Sequence, residues 1–243
     1  MHLNQLKMSI KTKSLLIILL VLLFDQILKI YIKSHFMLGE EVVIAKNWFI
    51  IHFVENNGMA FGFEFGQNIG KYLLSIFRLA AIGALGWYLT GLWKKEVPFG
   101  IVVCFSLILA GAAGNLIDSA FYGLIFNESH GQVASLFPAG GGYTTFLLGR
   151  VVDMFYFPLI DSHFPSWFPI WGGQEFIFFR PVFNVADSAI SIGIVAIFIF
   201  YRGFFDEKKE EEVVPTSALV NETGIEDSEV VEESEAEKNE TNE

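Results

Sequence analysis

The sequence predicts a membrane all-α fold: a four-helix transmembrane bundle with a small strand-rich extracytoplasmic element. Three observations carry that prediction. Hydrophobic residues make up 53% of the 243-residue chain and mean hydropathy is +0.47, too apolar for an ordinary soluble domain. Four apolar runs are each long enough to cross a bilayer, which takes about 20 residues. Between them lie β-branched and aromatic runs too short to span but suited to strands.

The first span is expected at about 14–34. Lys7, Lys11 and Lys13 precede its apolar run, as in a secretory signal, but no small-residue cleavage site follows. The helical pattern instead continues through Asp25 and Lys29, an i,i+4 pair in the favourable acid-first order. Residues 38–65 hold Val42-Val43-Ile44 and Trp48 to Val54, then the turn-forming Asn56-Asn57-Gly58, and predict a strand-rich element at the membrane surface. A second span, 69–93, carries Lys71 and Arg78 in its first half and ends at Lys94-Lys95-Glu96-Val97-Pro98. A third, 99–121, contains Ala110-Gly111-Ala112-Ala113-Gly114, small residues that permit close helix approach. Residues 122–182 do not span; their aromatics suit the headgroup level. A fourth span, 183–205, has Asn184, Asp187, Ser188 and Ser191 on one helical face.

The net charge of −11 belongs to the end of the chain. Residues 206–243 hold 15 Asp and Glu against 3 Lys, which leaves +1 for everything before them. That segment is predicted to be a disordered, acidic, cytoplasmic tail, because it cannot bury enough apolar surface to offset chain entropy. Residues 1–205 form the membrane domain. Lys7, Lys11, Lys13, Lys94, Lys95, Arg202, Lys208 and Lys209 gather on one side of the spans, which marks that side as cytoplasmic. Both termini are then inside, and the strand-rich element and residues 122–182 outside.

Polar residues converge near the outer face: Asp25, Asn115 and Asp118, Asp153, Asn184 and Asp187. A carboxylate at membrane depth marks function by default. The single Cys104 allows no internal disulfide, the five histidines are scattered, and no metal-ligand spacing appears, so neither metal nor cofactor is expected. No serine-nucleophile motif appears, and Gly140-Gly141-Gly142 lacks the Lys-Ser/Thr of a phosphate loop. Nothing points to nucleic acid. What remains is carboxylate chemistry: of two close aspartates one holds a proton, so the pair can activate water with one member and protonate a leaving group with the other. A proton-coupled transporter and a noncatalytic membrane scaffold are the alternatives; four spans without an internal repeat are few for the former.

Five blocks in order resemble the lipoprotein signal peptidases, the bacterial signal peptidase II family: Asp25-Gln26 with Lys29; Asn56 with Gly58, Ala60 and Phe61; Gly111-Ala112 with Gly114-Asn115 and Asp118; Gly149 with Val151-Val152-Asp153; and Phe183-Asn184 with Ala186-Asp187. The resemblance implies an aspartyl endopeptidase of the cytoplasmic (inner) membrane that acts on lipid-modified prolipoproteins. It implies cleavage before the diacylglyceryl-cysteine, and contact with membrane lipid. It implies Asp153 and Asp187 as the catalytic pair, and Asn56, Asn115 and Asn184 as holders of the substrate backbone or the dyad. Asp25, Lys29 and Asp118 are then supports, with Gly58 in the outer block. There are two departures. Ser119 stands where the family has an arginine that contacts substrate, and Arg150 is the candidate replacement by position. Residues 119–149 and the segment between Asp153 and Asp187 are longer than in the family, so Gly123 is a second candidate for the block glycine and Asp161 for the aspartate.

Overall fold

The computed structural model describes residues 8–46, 48–57, 67–158, 160–163, 165–170, 172–178 and 181–204. Gly58 and the acidic segment 206–243 lie outside these. Residues 1–200 form one compact unit and 201–243 a second, of which only 201–204 are described.

Helix α1, Ile10–His35, is N-capped by Ser9, whose side chain accepts from Thr12 N at 3.1 Å, and begins four residues ahead of the expected span. It stops at Phe36, whose backbone turns extended. Strands β1 (Glu41–Ala45) and β2 (Phe49–Asn56) form an antiparallel hairpin with an irregularity between Val43 and Ala45. Helix α2, Gln67–Leu92, follows. Helix α3, Phe99–Ile117, does not stop near 121: it loosens into one π-helical turn, Asp118–Tyr122, and closes with the short α4, Gly123–Ile125. Then come β3 (Val151–Tyr156), β4 (Ile160–His163), β5 (Glu175–Phe178), β6 (Val182–Phe183) and helix α5, Val185–Phe200.

Among the described residues, three helical stretches are long and apolar enough to cross a membrane: Ile10–His35, Ile69–Leu92 and Phe99–Ile125. The fourth apolar helix, α5, has 16 described residues, about 24 Å at helical rise, and is shorter than the expected 183–205. The bilayer side is plain on α1, where Leu15, Leu16, Leu19, Leu20, Leu23, Phe24 and Ile27 are exposed. Its packed side carries Ser14, Asp25, Lys29, Ile32 and Lys33. Low in the bundle, Ser14 and Ser106 share a buried 2.7 Å hydrogen bond between α1 and α3.

α3 and α5 pack most closely, and glycines let them. A Cβ on Gly111 would lie 2.2 Å from the Ala186 carbonyl oxygen, and one on Gly193 would lie 2.7 Å from that of Cys104. The strand-rich element is larger than 38–65 alone predicts. The sheet order is β1-β2-β3-β6, all antiparallel, so half its strands come from the segment read as non-spanning. β4 and β5 form a separate two-stranded ribbon. A buried apolar cluster of Ile32, Phe53, Tyr122, Phe126, Ala134, Val152 and Met154 ties the sheet to the ends of α1 and α3. The stretch after α4 contributes Phe126 and Ala134 to it, and is laced on by bridges Met37–Val133 and Phe126–Leu136.

Candidate active site

The site is built on three helix ends and one strand. On α1, Lys29 is fully buried and gives its ammonium three acceptors: Asp25 Oδ2 at 3.0 Å, Asp118 Oδ2 at 2.8 Å and Asn115 Oδ1 at 2.9 Å. An ammonium has three protons, so this set is complete. Such a buried cation is tolerable only because it is paired and hydrogen-bonded. Gln26 donates to Asp118 Oδ1 at 2.9 Å and to Asp25 Oδ2 at 3.1 Å, and accepts from the Tyr122 hydroxyl. Asp118 also takes the backbone N–H of Val152 at 3.2 Å, which pins the start of β3 to the end of α3. Gly149 makes that approach possible: a Cβ there would lie 2.3 Å from the Asp118 carbonyl oxygen.

The start of α5 is capped twice. Asn184 is not on the helical face with Asp187, as the periodicity predicts, but one residue before the helix, as its cap. Its Oδ1 accepts from Asp187 N at 2.9 Å, and Asp187 Oδ2 accepts from Asn184 N at 3.4 Å. The spacing that put an amide and a carboxylate on one face is here a capping box. The second cap comes from another helix: Asp25 Oδ1 accepts the N–H of Ala186 at 2.9 Å.

Asn184 then joins the two aspartates. Its Nδ2 donates to Asp153 Oδ1 at 2.7 Å and to Asn115 Oδ1 at 3.1 Å. Asn115 Nδ2 donates to Asp187 Oδ1 at 2.8 Å. Asp153 lies on β3 opposite Val54 of β2, is 3% exposed, and takes a further hydrogen bond from the Asn56 side chain. Burial, then the neighbouring Asp187 charge, push the Asp153 carboxyl up to about 7, against the opposing pull of Lys29, Asn184 and Asn56. It is therefore largely protonated below neutrality.

The structure thus brings Asp25, Lys29, Asn56, Asn115, Asp118, Asp153, Asn184 and Asp187 into one network. Asp161 lies on β4, in the separate ribbon, opposite Ile177. Gly123 begins α4 and is no part of a strand. Arg150 is engaged elsewhere. Its guanidinium reaches Glu55 Oε2 at 2.9 Å and both carboxylate oxygens of Glu128, and lies 4.9 Å from the Tyr143 ring centre. Burial alone would lower its pKa, but the Glu128 and Glu55 carboxylates outweigh that and hold it above its ordinary value. The Glu128 carboxyl is held down in turn, first by its hydrogen bond from Arg150. These residues line a cavity of about 470 Å³ with Leu38, Asn57 and His130. Lys33, bonded to Glu55 and Ser129, completes this second cluster.

Sequence reasoning passed over two features. One is the π-helical turn, which appears often at functional sites and has no composition signal. The other is Arg78 on α2, which donates to the Ser119 hydroxyl at 3.2 Å. A signal for it existed: Lys71, Ser75 and Arg78 stand at i, i+4 and i+7 in an otherwise apolar helix.

Comparison with known proteins places the chain in a family. A family profile described as Signal peptidase (SPase) II matches residues 17–202. The chain is similar to a lipoprotein signal peptidase of Porphyromonas gingivalis, 55% identical over 186 residues that make up 76% of this chain and 80% of that protein. It is also similar to one of Amoebophilus asiaticus, 35% identical over 84% of this chain and 85% of that one. A solved bacterial membrane enzyme at 1.9 Å resolution shares the fold with a TM-score of 0.50 and 26% identity, over 77% of this chain and 91% of its own. The chain belongs to the signal peptidase II family of aspartic peptidases.

Proposed function

We propose that this protein removes the signal peptide of diacylglyceryl-modified prolipoproteins, cutting before the lipidated cysteine, with Asp153 and Asp187 as the dyad. The observation that carries the reading is the Asn184 side chain, which holds Asp153 through its amide and the Asp187 backbone through its carbonyl. The mechanism follows from the two environments. Asp153 carries the proton below neutrality. Asp187, which accepts from the Asn115 amide and the Asn184 backbone, serves as the base that takes a proton from water. The water attacks the scissile carbonyl while Asp153 gives its proton to the carbonyl oxygen. Collapse of the tetrahedral intermediate passes a proton to the leaving amine, and the dyad returns to its starting state.

The positions of the apolar helices support a site at the outer edge of the inner membrane, with both termini cytoplasmic. There the scissile bond lies beside a lipid anchored in the outer leaflet, and the lipid places the peptide without drawing its chains into water. Residues 1–205 act as one membrane protease domain, and the acidic segment beyond them plays no part in the chemistry.

The test is cleavage of a diacylglyceryl-modified prolipoprotein by purified protein, with a chelator throughout. Wild type should cleave, while Asp153→Asn and Asp187→Asn, each nearly isosteric, should stay folded and lose roughly 10³-fold or more in rate. An active Asp153→Asn would shift the second carboxyl to Asp161 or Asp118. A wild type that never cleaves would move a transporter or scaffold ahead.

A further inference from the structure

Arg78 lies on the packed strip of α2. Ser75, Arg78, Ile82, Leu85, Leu89 and Leu92 follow one another at intervals of three and four, and all are buried or half-buried while residues between them, such as Phe77 and Trp87, are exposed. The strip is apolar at its inner end and polar at its outer end. Ser75 is anchored by its hydroxyl to the Leu147 carbonyl at 3.1 Å, which fixes this turn of α2 against the stretch leading to β3. One turn on, Arg78 donates to Ser119, and Ser119 in turn donates to the Asn115 carbonyl. Asn115 is the residue whose amide holds Asp187. The Arg78 guanidinium, which burial alone disfavours, lies within electrostatic reach of the carboxylates of Asp187, Asp118 and Asp153.

We propose that Arg78 is a positioning residue of the active centre, whose guanidinium, seated on Ser119, favours negative charge on Asp187 and so leaves the shared proton on Asp153. The groups facing the dyad make the role specific. From α1 comes Lys29, whose three protons are already taken by Asp25, Asp118 and Asn115. From the end of α3 comes Asp118, which repels either carboxylate. Arg78, from α2, is the cation linked to Asp187 through Ser119 and Asn115. The position after Asp118, where an arginine would sit in the family pattern, holds Ser119, and the guanidinium it receives comes from a different helix. Arg150 does not do this work, because Glu55 and Glu128 hold it.

The inference rests on Asp153 and Asp187 being the dyad, so Asp187→Asn belongs in the same assay. The experiment compares the pH profile of prolipoprotein cleavage for wild type, Arg78→Ala, Arg78→Lys and the double variant Arg78→Ala with Ser119→Arg, each checked for folding by thermal unfolding. In Arg78→Ala, kcat should fall about 100-fold with a much smaller change in KM, the cost of removing a preorganised charge. Loss of the cation should move both limbs of the profile to higher pH, the acid limb by about one unit and the alkaline limb by less, which narrows the bell. Arg78→Lys should keep the wild-type limbs. Ser119→Arg should recover at least part of the rate by returning a guanidinium from α3. A folded Arg78→Ala with wild-type rate and profile overturns the proposal, as does a slow one whose limbs do not move and which Ser119→Arg does not rescue. If Arg78→Ala does not fold, a folded Arg78→Lys with displaced limbs overturns it. An active Asp187→Asn would bring down the dyad reading and this proposal together.

Discussion

Asn184 makes four kinds of contact with one short side chain and its backbone: it caps α5, bonds Asp153, bonds Asn115 and bonds the Val152 carbonyl. An amide suits this, since it offers both donors and an acceptor and stays neutral at every pH of interest. Asp153 is different, because its state depends on pH. Its carboxyl titrates near its ordinary value of 3.8 in the unfolded chain and at about 7 in the folded one. The folded state therefore holds the proton longer. The stability this contributes is fully present below pH 4 and is lost as pH rises through 7. Asp153→Asn cannot ionise, so it should unfold at a higher temperature than wild type above pH 7, with the gap closing as pH falls toward 4. Thermal unfolding in detergent across that range checks it. Cleavage by wild type should decline over the same upper limb, as the proton donor is lost.

At the scale of elements, the site depends on how closely α3 and α5 approach. Gly111 lies under the first turn of α5, where a Cβ would meet the Ala186 carbonyl and the Ile190 side chain at 2.2 and 2.7 Å. The first of these is backbone and cannot swing aside. Gly111→Ala should push α5 away, cost about 1–3 kcal/mol and misplace Asp187, lowering both melting temperature and cleavage. Gly86→Ala on α2 is the matched control. Nothing lies within 4 Å of its added methyl, and a helix gains about 1 kcal/mol from the exchange. Equal effects at the two positions would show that close approach is not what Gly111 provides. The link between α1 and α5 is of another kind. Asp25 closes an orphan N–H at the start of α5, so the helix that carries Asp187 is positioned from α1 as well as by its own cap.

Taken whole, the molecule concentrates its polar investment at one end of an apolar bundle and its net charge at the end of the chain. The buried ions Lys29, Asp25 and Asp118 lie together where α1 and α3 meet the sheet, and Lys33 with Glu55 lies beside them. The acidic segment accounts for the net charge: without it the chain is close to neutral, with a net of +1 through Phe205. Removal of every residue after Asp206 should therefore leave the cleavage rate of the purified protein unchanged within about twofold, since no residue of the candidate site belongs to the removed segment. Lost cleavage in the shortened chain would show that the segment supports the fold or the substrate.

Much of this protein was legible in its sequence, for a physical reason. A run of apolar residues long enough to span, a pair at i,i+4 and an aspartate inside a membrane segment are local facts, and the bilayer makes each of them costly to misplace. Hence the apolar helices, the strands β1 and β2, and the set of carboxylates and amides could be read before any coordinates. Contacts between residues far apart in the chain leave no such mark. That β3 joins β2 with Asp153 opposite Val54 depends on strand register across about a hundred intervening residues. That Asn184 is a cap rather than a face depends on where α5 begins, and Asp25 on another helix helps set that point. The two arginines show the difference most clearly. Arg150 sits next to the β3 block in sequence but turns to Glu55 and Glu128, while Arg78, on α2 and far earlier in the chain, reaches Ser119. Neighbourhood in the chain sets where a backbone goes; which charges meet is decided by packing, because a buried ion settles wherever the folded chain offers it a partner.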